Sequence, residues 1–250
     1  STAVRTHGHF YPSCTSKCGP LLGFMMKGLK VEKGTQAAAE PIIVHEDSLL
    51  IAIDKPSGMP SVPGLDGRFS AYEFLSRIQA DLHVIHRLDM DTSGILLFAK
   101  TAEAAVFMQR QFEEHTIQKT YRAKLSASAS GKKLKAGDKG EISLPLSPDY
   151  DERPRQKVDH VQGKTALTTY EVLSVSEDGT AEIIFHPHTG RTHQLRVHAA
   201  HTLGLGRPIV GDMLYGGSPA SRLHLYAQSI TFRPPASPST LLTITGNSDI

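Results

Sequence analysis

The feature that most constrains this chain is a polar segment, residues 86–94, that has apolar residues on both sides. It contains a His, an Arg and two Asp, with Val-Ile before it at 84–85 and five apolar residues after it at 95–99. The apolar flanks predict two short buried strands, so the polar loop between them is fixed near the core. A fixed loop with several charged side chains is a candidate site. The alternative is a polar hairpin whose Asp and Ser bond their own backbone.

Composition is that of an ordinary globular protein and leaves the partner open. The chain has 250 residues, 39% hydrophobic and 21% charged, which is enough for one large domain or two small ones. Its formal net charge of +2 is too small to indicate a nucleic-acid partner. However, the segment from Phe185 to Pro235 contains five Arg, six His and a single acid, Asp212. That segment predicts a surface for a polyanion, although a merely hydrated basic face is the commoner origin of such asymmetry.

No segment is apolar enough to span a membrane, because none approaches the roughly 18 apolar residues that a span requires. The apolar run at 21–26 is too short for a signal-peptide core and is closed by Lys27 and Lys30. Two Cys cannot provide a disulfide framework. We therefore expect a cytoplasmic protein that has no membrane partner.

Residues 1–40 differ from the rest of the chain, being rich in Gly, Ser, Thr and Ala without a sustained period. Within them His7, His9, Cys14 and Cys18 could supply four tetrahedral zinc ligands. Their spacing matches no standard zinc finger, and a mobile tail would have the same composition. We treat residues 1–40 as an N-terminal extension of uncertain structure, and residues 41–250 as the domain that contains the fold.

From residue 41 onward, strand-like and helix-like patterns alternate. Ser70 and Glu73 have the spacing of a capping box, and residues 177–179 predict a hairpin turn. A lysine-rich stretch, 132–139, is expected to be a hydrated loop. The order predicts an α+β fold with a large, mainly antiparallel mixed sheet and a few short helices. The predicted helices are 71–78, 102–114 and 192–201, and the predicted strands are 42–45, 49–53, 84–85, 95–99, 120–126, 165–175, 180–186, 223–232 and 241–245.

Three kinds of side chain are candidates for chemistry. Asp89 and Asp91 could form a carboxylate pair, although a turn-rich loop allows them to splay apart. One buried carboxylate that a cation keeps ionised is the better hypothesis. Arg196 is the candidate cation, because guanidinium binds carboxylate through two hydrogen bonds. Tyr121, near the start of a strand, gains a role only if it lies beside Asp89, since such residues usually pack.

Two basic segments are candidates for binding. Arg153, Arg155 and Lys157 occupy alternate positions, which predicts that they share one side of an extended segment. Residues 190–198 open a helix with cations, which opposes the helix dipole and so favours a function over chance. A bare surface helix is the alternative there. Zinc held by the two His of this stretch is disfavoured, because they lie five residues apart rather than four.

These motifs resemble, in the same order, those of the RluA-type family of pseudouridine synthases. The blocks that carry the resemblance are 86–94 (HRLDMDTSG), 119–123 (KTYRA), 189–196 (TGRTHQLR) and 206–212 (GRPIVGD), the last followed by Tyr215-Gly216. The resemblance covers about 41–235. Residues 153–158 (RPRQKV) and the lack of an appended S4-type domain make the chain most similar to the compact RluA branch.

The resemblance implies a pseudouridine synthase catalytic domain at 41–250, with a central RNA-binding cleft in the sheet. It implies isomerisation of uridine to pseudouridine in a structured RNA, with neither magnesium nor a cofactor. The tRNA anticodon stem-loop, large-subunit ribosomal RNA or both are the implied substrates. We expect RNA to be the partner and the protein to act as a monomer.

The resemblance also implies roles for single residues. Asp89 would be the essential carboxylate, either attacking the sugar or abstracting its 2′ proton. Tyr121 would lie against the target base and serve as acid or base in the final deprotonation, and Arg196 would pair with Asp89. Arg87 would take the place of the flipped nucleotide. The further residues expected to bind RNA are His86, Arg191, His193, Arg153, Arg155 and Lys157.

The chemistry is compatible with these roles. Breaking a glycosidic bond builds positive charge on the sugar, which a nearby carboxylate stabilises or captures. A base in a stem-loop must leave its stack at a cost of a few kcal/mol, part of which an inserted Arg can offset. Apolar walls around the base exclude the water that would turn isomerisation into hydrolysis.

Two rival functions fit parts of the sequence. Residues 91–94 resemble the signature of aspartic proteases, but those enzymes need two facing carboxylates and the chain has one copy. An RNA-binding domain that keeps the fold and has lost turnover is the stronger rival. The intact set of Asp89, Tyr121 and Arg196 argues against it.

Overall fold

The computed structural model describes residues 40–247, and one large mixed β-sheet forms its centre. Within these residues ten strands form the sheet and two form a separate hairpin, and there are three helices. The strands are β1 (Ile42–Glu46), β2 (Leu50–Lys55), β3 (His83–Val84), β4 (Ser93–Ala99), β5 (Gln118–Leu125), β6 (Lys139–Ser143), β7 (Leu146–Pro148), β8 (Gln156–Val158), β9 (Leu167–Val175), β10 (Ala181–Pro187), β11 (Leu225–Phe232) and β12 (Leu242–Thr245), and the helices are α1 (Ala71–Ser76), α2 (Ala102–Glu113) and α3 (Gln194–Ala200).

The sheet is mainly antiparallel, so the predicted α+β class is confirmed. Its strand order is β1-β2-β4-β11-β5-β10-β9-β6, with β3 paired to β4 and β12 paired to β11. In the described part of the chain, β4 and β11 form the only parallel pair. That pair joins the early and late parts of the domain in the middle of the sheet. Strands β7 and β8 form the separate hairpin.

Strands β2 and β4 are covered on both faces, which explains their continuous apolar sequences. Helix α2 packs through Met108 on the face that contains Leu50 and Leu97. Helix α1 packs through Leu75 on the opposite face, against Phe98 and its neighbours. All seven residues of β4 are buried. The polar loop that precedes β4 is therefore attached directly to the core.

Local sequence signals set the helix boundaries. The predicted capping box is present, because the Ser70 hydroxyl accepts from the Glu73 amide while the Glu73 carboxylate accepts from the Ser70 amide. Thr101 caps α2 in a similar way. Helix α3 is shorter than predicted and begins at Gln194, because His193 adopts a left-handed conformation with φ +53°. The cations of residues 190–193 therefore precede the helix.

Two sequence predictions about the polar middle of the chain are wrong. Lys139 lies at the start of β6, which pairs with β9, and not in a loop. Arg153 and Pro154 lie in a turn, and the strand begins only at Gln156. The three cations of 153–157 thus do not share one side of an extended segment, because proline and the turn break the alternation.

The four residues weighed as zinc ligands, His7, His9, Cys14 and Cys18, lie outside the described residues. Within residues 40–247, no three His, Cys, Asp or Glu side chains are grouped so as to hold a metal ion. None of the helices in this range has both the length and the apolar character needed to cross a membrane.

Gly94 permits the close approach of β4 and β11 beside the polar loop. It pairs with Ala227 and has a φ of +113°, in a region that favours glycine. A Cβ atom at this position would lie 2.4 Å from the Ala227 carbonyl oxygen. That atom is backbone within a buried strand and cannot move aside without disturbing the sheet.

We therefore predict that Gly94→Ala destabilises the protein by about 3 kcal/mol, since overpacking adds to the strain of a positive φ. Gly137→Ala is the matched control, because Gly137 has a φ of +87° and no atom within 4 Å of the added Cβ. It should lose only about 1–2 kcal/mol. The measurement is urea unfolding of both variants, and equal losses would show that the contact with Ala227 has no energetic weight.

Candidate active site

A cavity of about 740 Å³ lies against the middle of the sheet. Its walls come from the loop at 85–92, from β5 and β11, and from residues 187–196, which include the start of α3. Three of the predicted site residues, Asp89, Tyr121 and Arg196, line it together. The structure thus brings together residues that are up to 107 positions apart in the sequence.

Hydrogen bonds from neighbouring serines to its backbone hold the loop that contains Asp89 in place. The Ser57 hydroxyl donates to the Asp91 carbonyl at 2.6 Å, and the Ser61 hydroxyl donates to the Leu88 carbonyl at 2.7 Å. Ser61 also accepts from the Leu88 amide at 3.0 Å. These bonds fix the path of the chain on both sides of Asp89 without using its side chain.

Lys55 adds a buried cation beneath the same loop. Its ammonium donates to three carbonyl oxygens, those of Pro56, Met59 and Met90, at 3.0, 2.7 and 2.9 Å. Burial lowers the pKa of Lys55 to about 7, against the opposing effect of nearby carboxylates that include Asp89. The three hydrogen bonds of Lys55 hold the loop, and in its protonated form Lys55 places a positive charge behind Asp89.

The Asp89 carboxylate is half-buried and forms no hydrogen bond or ion pair with any described residue. Tyr121, on β5, faces the same cavity. Burial raises the pKa of the Tyr121 phenol well above its ordinary value, and the charge of Asp89 raises that pKa further. Tyr121 is thus a protonated phenol beside a carboxylate that is free to act on a ligand.

Arg196 does not pair directly with Asp89, which corrects the sequence prediction. Its guanidinium donates two hydrogen bonds to the Asp212 carboxylate, at 2.9 and 2.7 Å, and both side chains are buried. Burial alone would lower the pKa of Arg196, but the hydrogen bonds and charge of Asp212 outweigh it and raise that pKa. Asp89 contributes to this shift only through its field. Asp212 was missed as the partner because it follows Arg196 by 16 positions and only the fold brings them together.

His193 and Tyr215 complete the surroundings of this ion pair. The His193 Nδ1 atom and the Tyr215 hydroxyl lie 2.8 Å apart, and the hydroxyl accepts from the Gln156 amide. The Arg196 guanidinium lies over the Tyr215 ring, 5.3 Å from its centre. Burial lowers the pKa of His193 below its ordinary value. His193 is thus a buried residue that does not line the cavity, where the sequence predicted an RNA contact.

His86 lines the cavity and is also part of the fold. Its Nε2 atom accepts from the Leu97 amide at 2.9 Å, and its ring stacks on Phe112 with centres 5.1 Å apart. Burial, with a smaller effect from Lys119, lowers the pKa of His86 to about 3. The imidazole is therefore neutral, with its proton on Nδ1.

Two of the predicted basic residues lie at the cavity with exposed side chains. Arg87 lines the cavity and forms no hydrogen bond or ion pair with the described residues. Arg191 also lines it, and its Nε atom donates to the Thr165 carbonyl at 2.9 Å. Both guanidinium groups can therefore meet a polyanion at the cavity edge.

The other predicted cations do not line this cavity, and each has a partner in the region of β7 and β8. Arg153 lies over the Tyr150 ring, 5.1 Å from its centre. Arg155 forms an ion pair with Glu152, and Lys157 lies 3.8 Å from Asp149. None of these three cations lines the cavity, although Arg155, like Arg196, lies over the Tyr215 ring, 5.5 Å from its centre.

The arrangement combines three properties that suit cleavage of a bond to a sugar. One carboxylate is unbonded, one phenol is protonated, and Ile85, Leu88, Leu195 and Leu225 give the cavity apolar walls. A flat heteroaromatic ring can pack on such walls while the carboxylate faces positive charge on the sugar.

Comparison with known proteins gives the family of this site. The sequence model of the family described as RNA pseudouridylate synthase matches residues 49–201. The chain is 40% identical over 204 residues to a dual-specificity RNA pseudouridine synthase RluA of Salmonella typhi, a match that covers 78% of this chain and 88% of that protein. It is 42% identical over 202 residues to the corresponding protein of Haemophilus ducreyi, covering 78% of this chain and 87% of the relative.

The fold has solved counterparts. Human RNA pseudouridylate synthase domain containing 1 superposes with a TM-score of 0.68 at 24% identity, covering 86% of each chain. Human RNA pseudouridylate synthase domain containing 4 superposes with a TM-score of 0.63, also at 24% identity, covering 82% of this chain and 88% of that one. Given the family match and the relatives at about 40% identity, this chain belongs to the RluA family of RNA pseudouridine synthases, and it isomerises uridine in RNA.

Proposed function

We propose that this enzyme isomerises a uridine of a stem-loop RNA after flipping its base into the cavity, with Asp89 as the essential carboxylate. The observation that supports this most directly is the state of Asp89. Its loop is fixed by backbone bonds, whereas its carboxylate has no partner and lines a cavity beside Tyr121. The relatives are described as dual-specificity enzymes, which supports two RNA substrates, and the motif resemblance implies that these are a tRNA anticodon stem-loop and ribosomal RNA. All the groups invoked come from one chain, so we propose a monomer.

The reaction requires the bond between the sugar and the uracil nitrogen to break, and a new bond to a uracil carbon to form. Asp89 stabilises or captures the positive charge on the sugar while the uracil turns. Apolar walls hold the detached uracil and exclude water. The proton on the newly bonded carbon must then leave.

We assign that last proton transfer to Tyr121. Because its pKa is raised, the Tyr121 phenol is protonated before the reaction and is not a phenolate that could take the proton directly. It can act as a base only while it gives its own proton to another acceptor, and the Asp89 carboxylate is the anion that the site offers. Asp89 thus serves at both ends of the reaction.

Arg196 acts on this centre from a distance and is a positioning residue. The Asp212 carboxylate fixes its guanidinium in the cavity wall. From there it contributes a positive field at Asp89 without forming a direct pair. A direct pair would occupy the carboxylate oxygens that the sugar needs.

We predict that Asp89→Asn lowers turnover by about 10³-fold or more, because the neutral amide cannot stabilise the sugar cation or accept a proton. RNA binding should change little. The assay is nucleoside analysis of a stem-loop RNA after incubation in buffer with a metal chelator. Asp91→Asn is the matched control, since it removes the same charge from a residue that does not line the cavity, and it should lose less than tenfold. Turnover by Asp89→Asn at the wild-type rate would refute the proposal, and RNA binding by the wild type without product would favour the binding-domain rival.

We predict that Arg87→Ala slows turnover of a target uridine stacked in a stem by about tenfold or more, because its side chain no longer offsets the cost of unstacking. The loss should be smaller for an RNA in which the same uridine is already unpaired. Arg68→Ala, at an exposed arginine that does not line the cavity, is the control. The same loss on both RNAs would argue against base replacement by Arg87.

We predict that Asp212→Asn destabilises the protein by about 3–5 kcal/mol, because it leaves the buried guanidinium of Arg196 without a counter-ion. Glu171→Gln removes the exposed pair with Lys139 and should lose less than about 1 kcal/mol. Guanidinium chloride would add ions to the medium, so urea unfolding is the proper measurement. A loss by Asp212→Asn no larger than that of Glu171→Gln would show that the ion pair has no structural role.

A further inference from the structure

The two lysines of the cavity region are bonded very differently, and Lys55 is the more deeply buried of the two. The Lys55 ammonium has three carbonyl acceptors and several carboxylates nearby. The Lys119 ammonium has one contact, with the Thr189 carbonyl at 3.4 Å, and no ion pair with any described residue. Lys119 is partly buried and lines the cavity.

An ammonium that is withdrawn from water and has no anion beside it is costly, and proteins normally pair such a group. The direction of the cost agrees with the pKa of Lys119, which burial lowers to about 8. The Thr189 carbonyl, at the long limit of a hydrogen bond, compensates little of it. An anion brought by a ligand would compensate the rest.

Lys119 lies where it could bind an anionic group of the RNA next to the target base. Lys119 and Tyr121 are two positions apart on β5, so they point to the same side of the sheet with about 7 Å between their Cα atoms. Gly190 lies beside the ammonium, and an added Cβ there would be in ordinary van der Waals contact with Nζ, at 3.8 Å. Lys119 itself lines the cavity, so a ligand group in the cavity can reach the ammonium.

His86 offers a second donor at the same end of the cavity. Its Nε2 atom is occupied by the Leu97 amide, so the ring proton is on Nδ1. Nδ1 has no hydrogen-bond partner among the described residues. His86 and Lys119 both line the cavity, and the charge of Lys119 contributes to the lowered pKa of His86.

We propose that Lys119, with His86 Nδ1 as a neutral second donor, binds one backbone phosphate directly adjacent to the nucleotide whose base lies at Tyr121. The inference rests on the proposed RNA substrate and specifies how one of its phosphates is held. The phosphate supplies the counter-charge that Lys119 lacks in the free protein. It also fixes the sugar relative to Asp89, since the phosphate and the sugar are covalently joined.

The first test measures RNA binding as a function of salt for the wild type and for Lys119→Met. Loss of one phosphate contact should weaken binding by about tenfold or more at low salt. It should also make the slope of log K against log salt shallower by about 0.7, the value for one phosphate of a single strand. Lys119→Arg, which keeps the charge, should retain the wild-type slope.

Lys124→Met is the matched control. Lys124 is on the same strand, but alternation directs it to the other side of the sheet, and it does not line the cavity. It removes the same formal charge and should leave the slope unchanged. Urea unfolding should show that Lys119→Met is at least as stable as the wild type, because it removes an unpaired desolvated charge. A shallower slope for both lysine variants, or for neither, would overturn the proposal.

The second test identifies the phosphate. Each of the two phosphates that flank the target uridine, 5′ and 3′, is replaced in turn by a neutral methylphosphonate. At one of the two positions the replacement should weaken binding by the wild type by about tenfold and binding by Lys119→Met by about twofold or less. Equal penalties for the two proteins at both positions would overturn the phosphate site. Conversion of uridine by the wild type in the same preparation would then leave the proposed function intact, whereas absence of RNA binding would reject both.

Discussion

The hydrogen bonds that hold the backbone of the loop at 86–92 are the interaction on which the site depends. Lys55, Ser57 and Ser61 all donate to carbonyl oxygens of this loop. A loop between two buried strands could have been fixed by its own Asp side chains, which is the common solution in turns. Here the fixing groups come from the last residue of β2 and from the loop that follows it. Asp89 is therefore positioned as firmly as a structural residue, while its carboxylate remains free for a ligand.

Charge in the cavity region is arranged so that the groups facing the ligand are not neutralised by each other. Arg196 is paired with Asp212, and Lys55 is bonded to carbonyl groups, so both cations are satisfied within the protein. Asp89 feels the field of both but bonds to neither. A field from a distance keeps a carboxylate ionised, whereas a direct bidentate pair would also cover its oxygens. This distinction gives a physical reason why the pairing predicted for Arg196 and Asp89 is not the one observed.

Sequence patterns predicted those parts of the fold that local residues determine. The apolar runs of β2 and β4 and the capping box at Ser70 need only their own neighbours to be interpreted, and the structure confirms them. β6 was missed because its sequence, Lys139–Ser143, is polar and only the register with β9 makes it a strand. The partner of Arg196 was missed for a related reason, although Asp212 is the single acid of its basic segment and was a usable signal. Lys55 gave no signal, and Lys119 was noted only as part of the block 119–123, because the surroundings of a lysine are not known until the fold is.

Asp89 and Lys119 line the same cavity with opposite charges, yet they form no ion pair with each other. An ion pair between them would stabilise the free protein and would have to be broken before a nucleotide could enter. Keeping them apart leaves each with an unmet charge, at a cost to the stability of the folded chain. A nucleotide offers both complements at once, a sugar that becomes positive and a phosphate that is negative. Binding thus offsets the cost of desolvating Asp89 and Lys119 in the free protein. Only a ligand that carries the sugar and the phosphate side by side can offset both costs.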